Sequence, residues 1–460
     1  MTTGSTIEIT TTGPRTARTS GTASRAVGPP TRTRLWSYLV PPSQFSRPAE
    51  TVVDAHGTRV RFADGVEAQC GRSGLWNVNF GYGHPAVADA VAEATRSVTY
   101  LPLFRSAHPW AERAAEALVD LLGPARHSHV LFSTSGSAAN DAVMKMARQW
   151  AALRGEPGRD LIVGLRNSYH GQTYGSIAVS GDDLGQPMYK VDQRLIRHIP
   201  ADDVTALQRL LDRQGARIAA FVIEPVLGNG TVPVDPELIR TVLAGRDDGG
   251  YLVVADEVAT GFLRTGEVFA TDTWPARPDA TILSKGLTNG ACGAAAIVLG
   301  RRLTEPFVAA DSMFVHGETQ GGSPPSCAAV LAVADLVGDP AVVAAARRAG
   351  DELGRGLAGL GDHPLVVGHR GRGCFRSLRL VGHDGRSIGP DDRARVIDHI
   401  RRAGAWVYPA PDGVQLIPPV VSSPSDIDSL VTAVGDGLDR FVSDRGRGAV
   451  PCCTGAPVPS

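Results

Sequence analysis

Three residues of this 460-residue chain can form a Schiff base. Of its 46 Lys+Arg residues only Lys145, Lys190 and Lys285 are lysine, and the other 43 are arginine. Arginine stays protonated near neutral pH, whereas a lysine amine can shed its proton and attack a carbonyl carbon. Lys285 is set apart by its context, because it leaves the apolar run Ala280-Thr281-Ile282-Leu283 between Ser284 and Gly286. An amine at the exit of a buried strand is desolvated, which lowers its pKa and raises its nucleophilicity. Lys145 falls in a helical pattern and Lys190 in the polar stretch 188–193, contexts suited to the surface or to a phosphate.

Three further clusters could serve such an amine. Tyr251-Leu252-Val253-Val254-Ala255 is a hydrophobic run that ends in Asp256-Glu257-Val258. An acid at a strand's carboxyl end can hold a cationic ring nitrogen or a metal, or it can simply be solvated. No His, Asp or Glu at ligand spacing stands nearby, so a cation partner is expected and a metal is not. Phe132-Ser133-Thr134-Ser135-Gly136-Ser137-Ala138 carries a strand through small residues into a helix, where free N–H groups and hydroxyls suit a phosphate. Taken alone, that segment is equally an ordinary capped turn. Tyr169, in Asn167-Ser168-Tyr169-His170-Gly171, could lie flat on a planar ligand with His170 in an orienting role, and Trp76 could stand at a pocket mouth. Either aromatic could instead be core packing.

The elements that must position these residues alternate along the chain. Helical spacing of apolar residues predicts helices at 85–98, 110–122, 138–153 and 204–214. Short β-branched runs between them predict buried strands at 129–132, 160–164, 218–223, 251–255 and 280–283. The alternation implies an α/β fold with a large, mostly parallel sheet domain, assigned to 79–335. Composition shifts after Pro340, and 336–445 reads as a smaller α+β domain: helix 341–360, two strands within 365–380, helix 393–403 and a strand segment 406–419. Short strands at 51–54 and 59–64 place 35–78 as an N-terminal segment packing with that smaller domain. Residues 1–34, rich in Thr, Ser, Gly and Arg, offer little to bury and are expected to form a disordered tail or, less simply, a transit peptide; 446–460 reads as a second tail.

Composition excludes several classes. Basic and acidic residues nearly cancel, at 46 against 47, leaving no positive field for nucleic acid or anionic lipid. No apolar run reaches membrane-spanning length. The six cysteines show neither zinc nor disulfide spacing, which points to a reducing, cytoplasmic setting. Serine-hydrolase elbows, Walker loops and the dinucleotide fingerprint are missing as motifs.

Phosphate turn, ring-stacking Tyr, strand-end Asp and strand-end Lys, in that order, resemble the class III (ω-type) aminotransferases of the pyridoxal-phosphate fold-type I superfamily, over about 36–434. Ser135 to Asp141 is similar to the family's SGSEANE-type turn, Tyr169-His170-Gly171 to its YHG, and Asp256 to Gly266 to its DEVxTGFGRTG. Ser284-Lys285-Gly286 matches SKG, and His316-Gly317-Glu318-Thr319 matches HGxT. The resemblance implies a pyridoxal 5'-phosphate enzyme running a ping-pong transamination. Lys285 would hold the cofactor as a Schiff base and shuttle a proton. Asp256 would keep the pyridine nitrogen protonated, with Tyr169 and Val258 on the two ring faces. Ser135, Gly136 and Ser137 would bind phosphate, joined by Thr319 from a neighbouring subunit, which implies a homodimer with a shared site. His170 and Glu224 would lie beside the cofactor. Aminomutase, decarboxylase or racemase chemistry starts from the same cofactor adduct and is the alternative; a non-catalytic binding protein is a remote one.

Two departures bear on substrate. Many members place an arginine before proline in a GxxxRP segment to clamp the substrate carboxylate; here Tyr408 precedes Pro409, and a phenol cannot replace bidentate pairing. Leu263 stands where the family has the second glycine of GFGRTG and is expected to reshape the entrance. With Trp76 and Tyr408 lining the pocket, one substrate is expected to be an amine, ketone or aldehyde lacking an adjacent carboxylate, such as a modified-peptide ketone in a specialised pathway.

Overall fold

The computed structural model describes residues 34–382 and 385–445. The tail expected at 1–34 therefore lies outside the described residues apart from Arg34, as does the one at 446–460. A seven-stranded sheet organises the large domain, in the order His127–Ser133, Ala295–Gly300, Ala280–Leu283, Leu252–Asp256, Ile218–Ile223, Leu161–Leu165, Ile196–Ile199. All strands are parallel except Ala295–Gly300, which runs against both neighbours. Strands covered on both faces need unbroken apolar runs, and Ile218–Ile223 and Leu252–Asp256 are buried at every position. The helix Gly136–Leu153 covers one face through Val143, Ala147 and Trp150. Helices Pro109–Leu122 and Pro324–Gly338 supply the opposite layer.

Two strands of this seven-stranded sheet escape the sequence pattern. Ile196–Ile199 is an edge strand whose centre is Arg197-His198, and Ala295–Gly300 emerges from a glycine- and alanine-rich stretch with no alternation. Helix starts also lie earlier than the apolar spacing suggests, at Pro109, Gly136, Pro340 and Pro390. The first turn carries the cap rather than the apolar face: proline's missing N–H costs nothing at that position, and Asp339 accepts from the Ala341 N–H at 2.8 Å.

The C-terminal part forms a four-stranded antiparallel sheet in the order Val366–Arg372, Phe375–Leu380, Gly413–Leu416, Tyr408–Ala410. Helices Pro340–Gly359, Pro390–Ala403 and Pro424–Arg445 pack with it. The N-terminal strands Val52–His56, Arg59–Phe62 and Glu67–Cys70 make a separate sheet, completed by Ala405–Trp406 running parallel to Glu67–Cys70. That pairing draws the N-terminal segment onto the C-terminal one: the Gly71 N–H donates to the Trp406 carbonyl at 2.9 Å, and the Gly71 carbonyl accepts from Ile417 at 2.7 Å. The loop after Cys70 is thereby placed against the strand that carries Tyr408.

Candidate active site

Asp256 ends the central strand and is 3% exposed. Its Oδ2 accepts from the His170 Nδ1–H at 2.7 Å and from the Asn140 amide at 2.9 Å, and its Oδ1 accepts from the Val258 N–H at 3.1 Å. Burial opposes the charge, but the His170 hydrogen bond and charge, with Asn140 and Val258, hold the carboxyl below its ordinary pKa. Burial likewise opposes an imidazolium at His170, yet the hydrogen bond to Asp256 and its charge raise the His170 pKa. The two shifts describe one buried ion pair. Glu257, the second acid, faces away from the cleft and pins a loop there. Its carboxylate accepts from the N–H groups of Ala270 (3.2 Å) and Thr271 (2.7 Å) and from the Thr260 hydroxyl.

Lys285 follows the neighbouring strand. Its side chain lies deep in the protein while part of the residue still meets solvent, and its Nζ stands 4.8 Å from the centre of the Trp76 ring. Burial lowers its pKa, with Arg264 adding to the effect, against the opposing pull of Asp256 and Glu224. Lys285 and Trp76 both have left-handed backbone, φ +47° and +64°. Such non-glycine residues cost roughly 1 kcal/mol or more each, and the surrounding packing holds them there.

The turn before helix Gly136–Leu153 is shaped for close approach. Ser135 caps the helix by accepting from the Ala138 N–H at 3.2 Å. A Cβ on Gly136 would meet Val258 Cγ2 at 3.0 Å, and one on Gly171 would collide with Ser137 Oγ at 2.1 Å. Ser137 Oγ accepts from the Gln172 N–H at 3.3 Å, joining the turn to the Tyr169-His170-Gly171 loop. Tyr169 is 36% exposed, and its N–H donates to Glu224 Oε2 at 2.8 Å. Glu224 Oε1 accepts from the Gly228 N–H at 2.9 Å; burial and the nearby Asp256, against the pull of His170 and these two N–H groups, push this carboxyl up to about 7.

The other wall is aromatic. Trp76 meets Phe375 and Tyr408 edge-on, with ring centres 5.6 and 5.5 Å apart, so Trp76 stands beside Lys285 and Tyr408 packs against Trp76. Thr319 is exposed and its carbonyl accepts from the Tyr100 hydroxyl at 2.9 Å, while the adjacent Glu318 carboxylate accepts from the Thr134 N–H at 3.1 Å. Leu263 departs from expectation. It is fully buried in the core, at φ +68°, and lines no entrance. Lys145 is exposed and donates to the Val315 carbonyl at 2.8 Å. Two residues gain a place that the sequence alone does not assign them. Asn140 has a signal, standing one helical turn after Gly136 within the quoted motif, where its amide also reaches the Gly136 carbonyl at 3.1 Å. Arg72 has none.

Pyridoxal phosphate fits these residues: a buried amine with no hydrogen-bond partner among the described residues, a paired strand-end carboxylate, a helix N-terminus and two glycines cleared of Cβ atoms converge at one sheet edge. Among the described residues no group of three or more His, Cys, Asp or Glu is placed to hold a metal. Fold and site together define a fold-type I pyridoxal-phosphate enzyme. The sequence profile of the aminotransferase class-III family matches residues 44–438, and the chain belongs to that family. It is 30% identical to the putrescine–pyruvate aminotransferase of Pseudomonas aeruginosa over 85% of this chain and 91% of the relative. The acetylornithine aminotransferase of Mycobacterium leprae is 32% identical over 80% of this chain and 86% of the relative. An amine transaminase from an uncultivated Pseudomonas species, solved in its PLP-bound form, superposes with TM-score 0.81 at 28% identity, covering 89% of this chain and 99% of that one. The protein is thus a pyridoxal-phosphate-dependent aminotransferase.

Proposed function

We propose that this aminotransferase moves an amino group between a small acid-bearing co-substrate and an amine, ketone or aldehyde that carries no carboxylate next to the reacting carbon. The observation that carries the reading is Tyr408, whose ring packs on Trp76 at 5.5 Å and so puts an aromatic ring, and no clamp guanidinium, at position 408 in the wall that reaches Lys285 through Trp76. A relative named for putrescine and pyruvate, an amine without a carboxylate and a keto acid, supports such a pairing. A ketone intermediate of a specialised pathway, a modified-peptide ketone included, has the chemistry this wall accepts.

Bound at this sheet edge, pyridoxal phosphate supplies an aldehyde carbon and a ring that accepts the electron pair left when Cα loses a proton. Asp256, held ionised by His170 and Asn140, would keep a proton on the ring nitrogen. The lowered pKa of Lys285 suits its Nζ to take and return the Cα proton. Tyr169 and Val258 would cover the cofactor ring, and Ser135, Gly136 and Ser137 would hold its phosphate. Thr319, exposed on its own chain, would complete the phosphate site of a second copy in a homodimer, and the two half-reactions would alternate at the one site in a ping-pong cycle. The four described cysteines are free, in keeping with a cytoplasmic protein.

The test is a panel of donors and acceptors followed by bleaching of the cofactor absorbance and by release of keto product. Amines without a carboxylate should bleach the cofactor, and a keto acid should restore it. Turnover confined to pairs of α-amino and α-keto acids would overturn the substrate reading.

A further inference from the structure

The buried arginines among the described residues each have a polar partner at a terminal guanidinium nitrogen, although Arg264 Nε has none. Arg246 faces Asp279 at 3.6 Å, Arg401 faces Asp64 at 2.9 Å, and Arg264 donates to the Pro418 and Cys374 carbonyls, Asn79 and Ser73. Arg72 differs. Its Nε donates to the Gly74 carbonyl at 2.8 Å, but its two terminal nitrogens donate to no described residue, and no described carboxylate lies within ion-pair distance. Its guanidinium packs against the rings of Trp406 (4.4 Å) and Tyr408 (4.7 Å). Contact with ring faces engages the flat surface of the guanidinium and leaves its N–H edge available. That edge retains solvent contact, although the residue as a whole is largely buried.

The position is as informative as the missing partner. Tyr408 touches both Trp76 and Arg72, and Trp76 in turn touches Lys285. The loop that carries Arg72 is fixed against the Tyr408 strand by the Gly71 hydrogen bonds and by Ser73 Oγ donating to the Ile417 carbonyl at 2.7 Å. A guanidinium is therefore held beside the phenol that occupies the clamp position, delivered from the opposite end of the chain.

We infer that Arg72 is the carboxylate-recognising residue of the substrate cleft, pairing through its free N–H edge with the acid group of the co-substrate while Tyr408 and Trp76 receive the uncharged part of either substrate. Recognition of the acid is relocated from position 408 to position 72 and not lost. The inference rests on the aminotransferase substrate reading above and adds to it the residue that tells the acid-bearing partner from the neutral one. A charged, two-pronged pair accounts for selectivity that an aromatic wall cannot provide.

The experiment uses the holoenzyme and variants Arg72→Gln and Arg72→Lys, each first checked for the wild-type cofactor absorbance and thermal midpoint. Propionate and 4-phenylbutyrate, with their neutral amides, are titrated as unreactive probes by their perturbation of the cofactor spectrum. Arg72→Gln should weaken carboxylate binding roughly 10- to 100-fold and leave amide binding within about twofold. Arg72→Lys, which keeps the charge without the fork, should fall between, and it carries the test if loss of the ring contacts unsettles the Gln variant. In turnover, KM for a keto acid should rise with kcat little changed, while KM for a neutral amine stays put. Equal losses for carboxylate and amide, or none for either, would overturn the assignment. Neutral amines turned over without any carboxylate preference would remove Arg72's role and leave the substrate reading intact. Arg72-dependent carboxylate binding in an enzyme that refuses neutral amines would do the reverse.

Discussion

The two walls of the cleft are built from different materials. On the sheet side, Asp256, His170, Asn140 and Glu224 are buried, and each carboxylate oxygen of the two acids accepts at least one hydrogen bond. On the facing side, Arg72, Trp76 and Tyr408 are only partly buried, contact one another through ring faces and edges, and depend on links between residues 344 apart in sequence, such as Ser73 to Ile417. Buried charge tolerates no loose partner, because an ion stripped of water must be compensated in place. An aromatic wall tolerates exchange of its members, since its contacts are individually weak and have broad geometry. On the reading proposed above, the chemistry would be fixed on the buried wall and the choice of substrate left to the partly exposed one.

Breaking the sheet-side wall should give the largest effects. Lys285→Ala removes the lysine of the site; turnover should fall by at least about a thousandfold, and the visible cofactor band should disappear on dialysis. Retained turnover would remove the Schiff-base assignment. Asp256→Ala strands His170 in the interior, so the denaturant midpoint should drop by the equivalent of about 3–5 kcal/mol together with activity. Asp256→Asn, which keeps the shape, should lose activity with a smaller loss of stability.

Glu224 sharpens the comparison through pH. Its folded pKa lies above the value of an exposed glutamate, so between those two values the folded state binds more protons than the unfolded one. Stability contributed by the protonated carboxyl is present at low pH and is lost as pH rises toward about 7. Denaturant midpoints measured from pH 5 to 8 should therefore fall more steeply for the wild type than for Glu224→Gln, by up to about 3 kcal/mol across the range. Parallel slopes would mean that Glu224 titrates as an exposed acid does. The smallest effect belongs to Lys145→Arg: at this exposed site, stability should move by less than about 0.5 kcal/mol and kcat not at all. A large loss there would mean that lysine is kept at positions other than 285 for chemistry.

Legibility in the sequence follows the same division. Apolar strands that end in Asp256 and Lys285 can be read because a doubly covered parallel strand must be an unbroken hydrophobic run, and whatever polar residue follows it is delivered to the sheet edge. The capped turn at Ser135 is readable for a similar local reason. An orienting role for His170 is legible, but its target is not, since the 2.7 Å contact joins residues 86 apart. Leu263 is illegible because a hydrophobic residue in a glycine position has no local mark of facing the core or the cleft. Ile196–Ile199 is hidden because an edge strand is free to place arginine and histidine at its centre.

What the sequence determined by itself was the chemistry: one lysine among three at a strand exit, an acid at the next strand's end, a small-residue turn at a helix start, and the order that joins them. Each depends on a residue and its immediate neighbours, so local pattern is enough to show it. Only the tertiary structure decided that Asp256 pairs with His170 and Asn140, that Leu263 belongs to the core, and that Arg72 stands beside Tyr408. These outcomes depend on chain segments distant in sequence meeting at fixed registers, here Trp406 beside Cys70 in a parallel pair, and a register between distant strands is set by the packing of the whole fold.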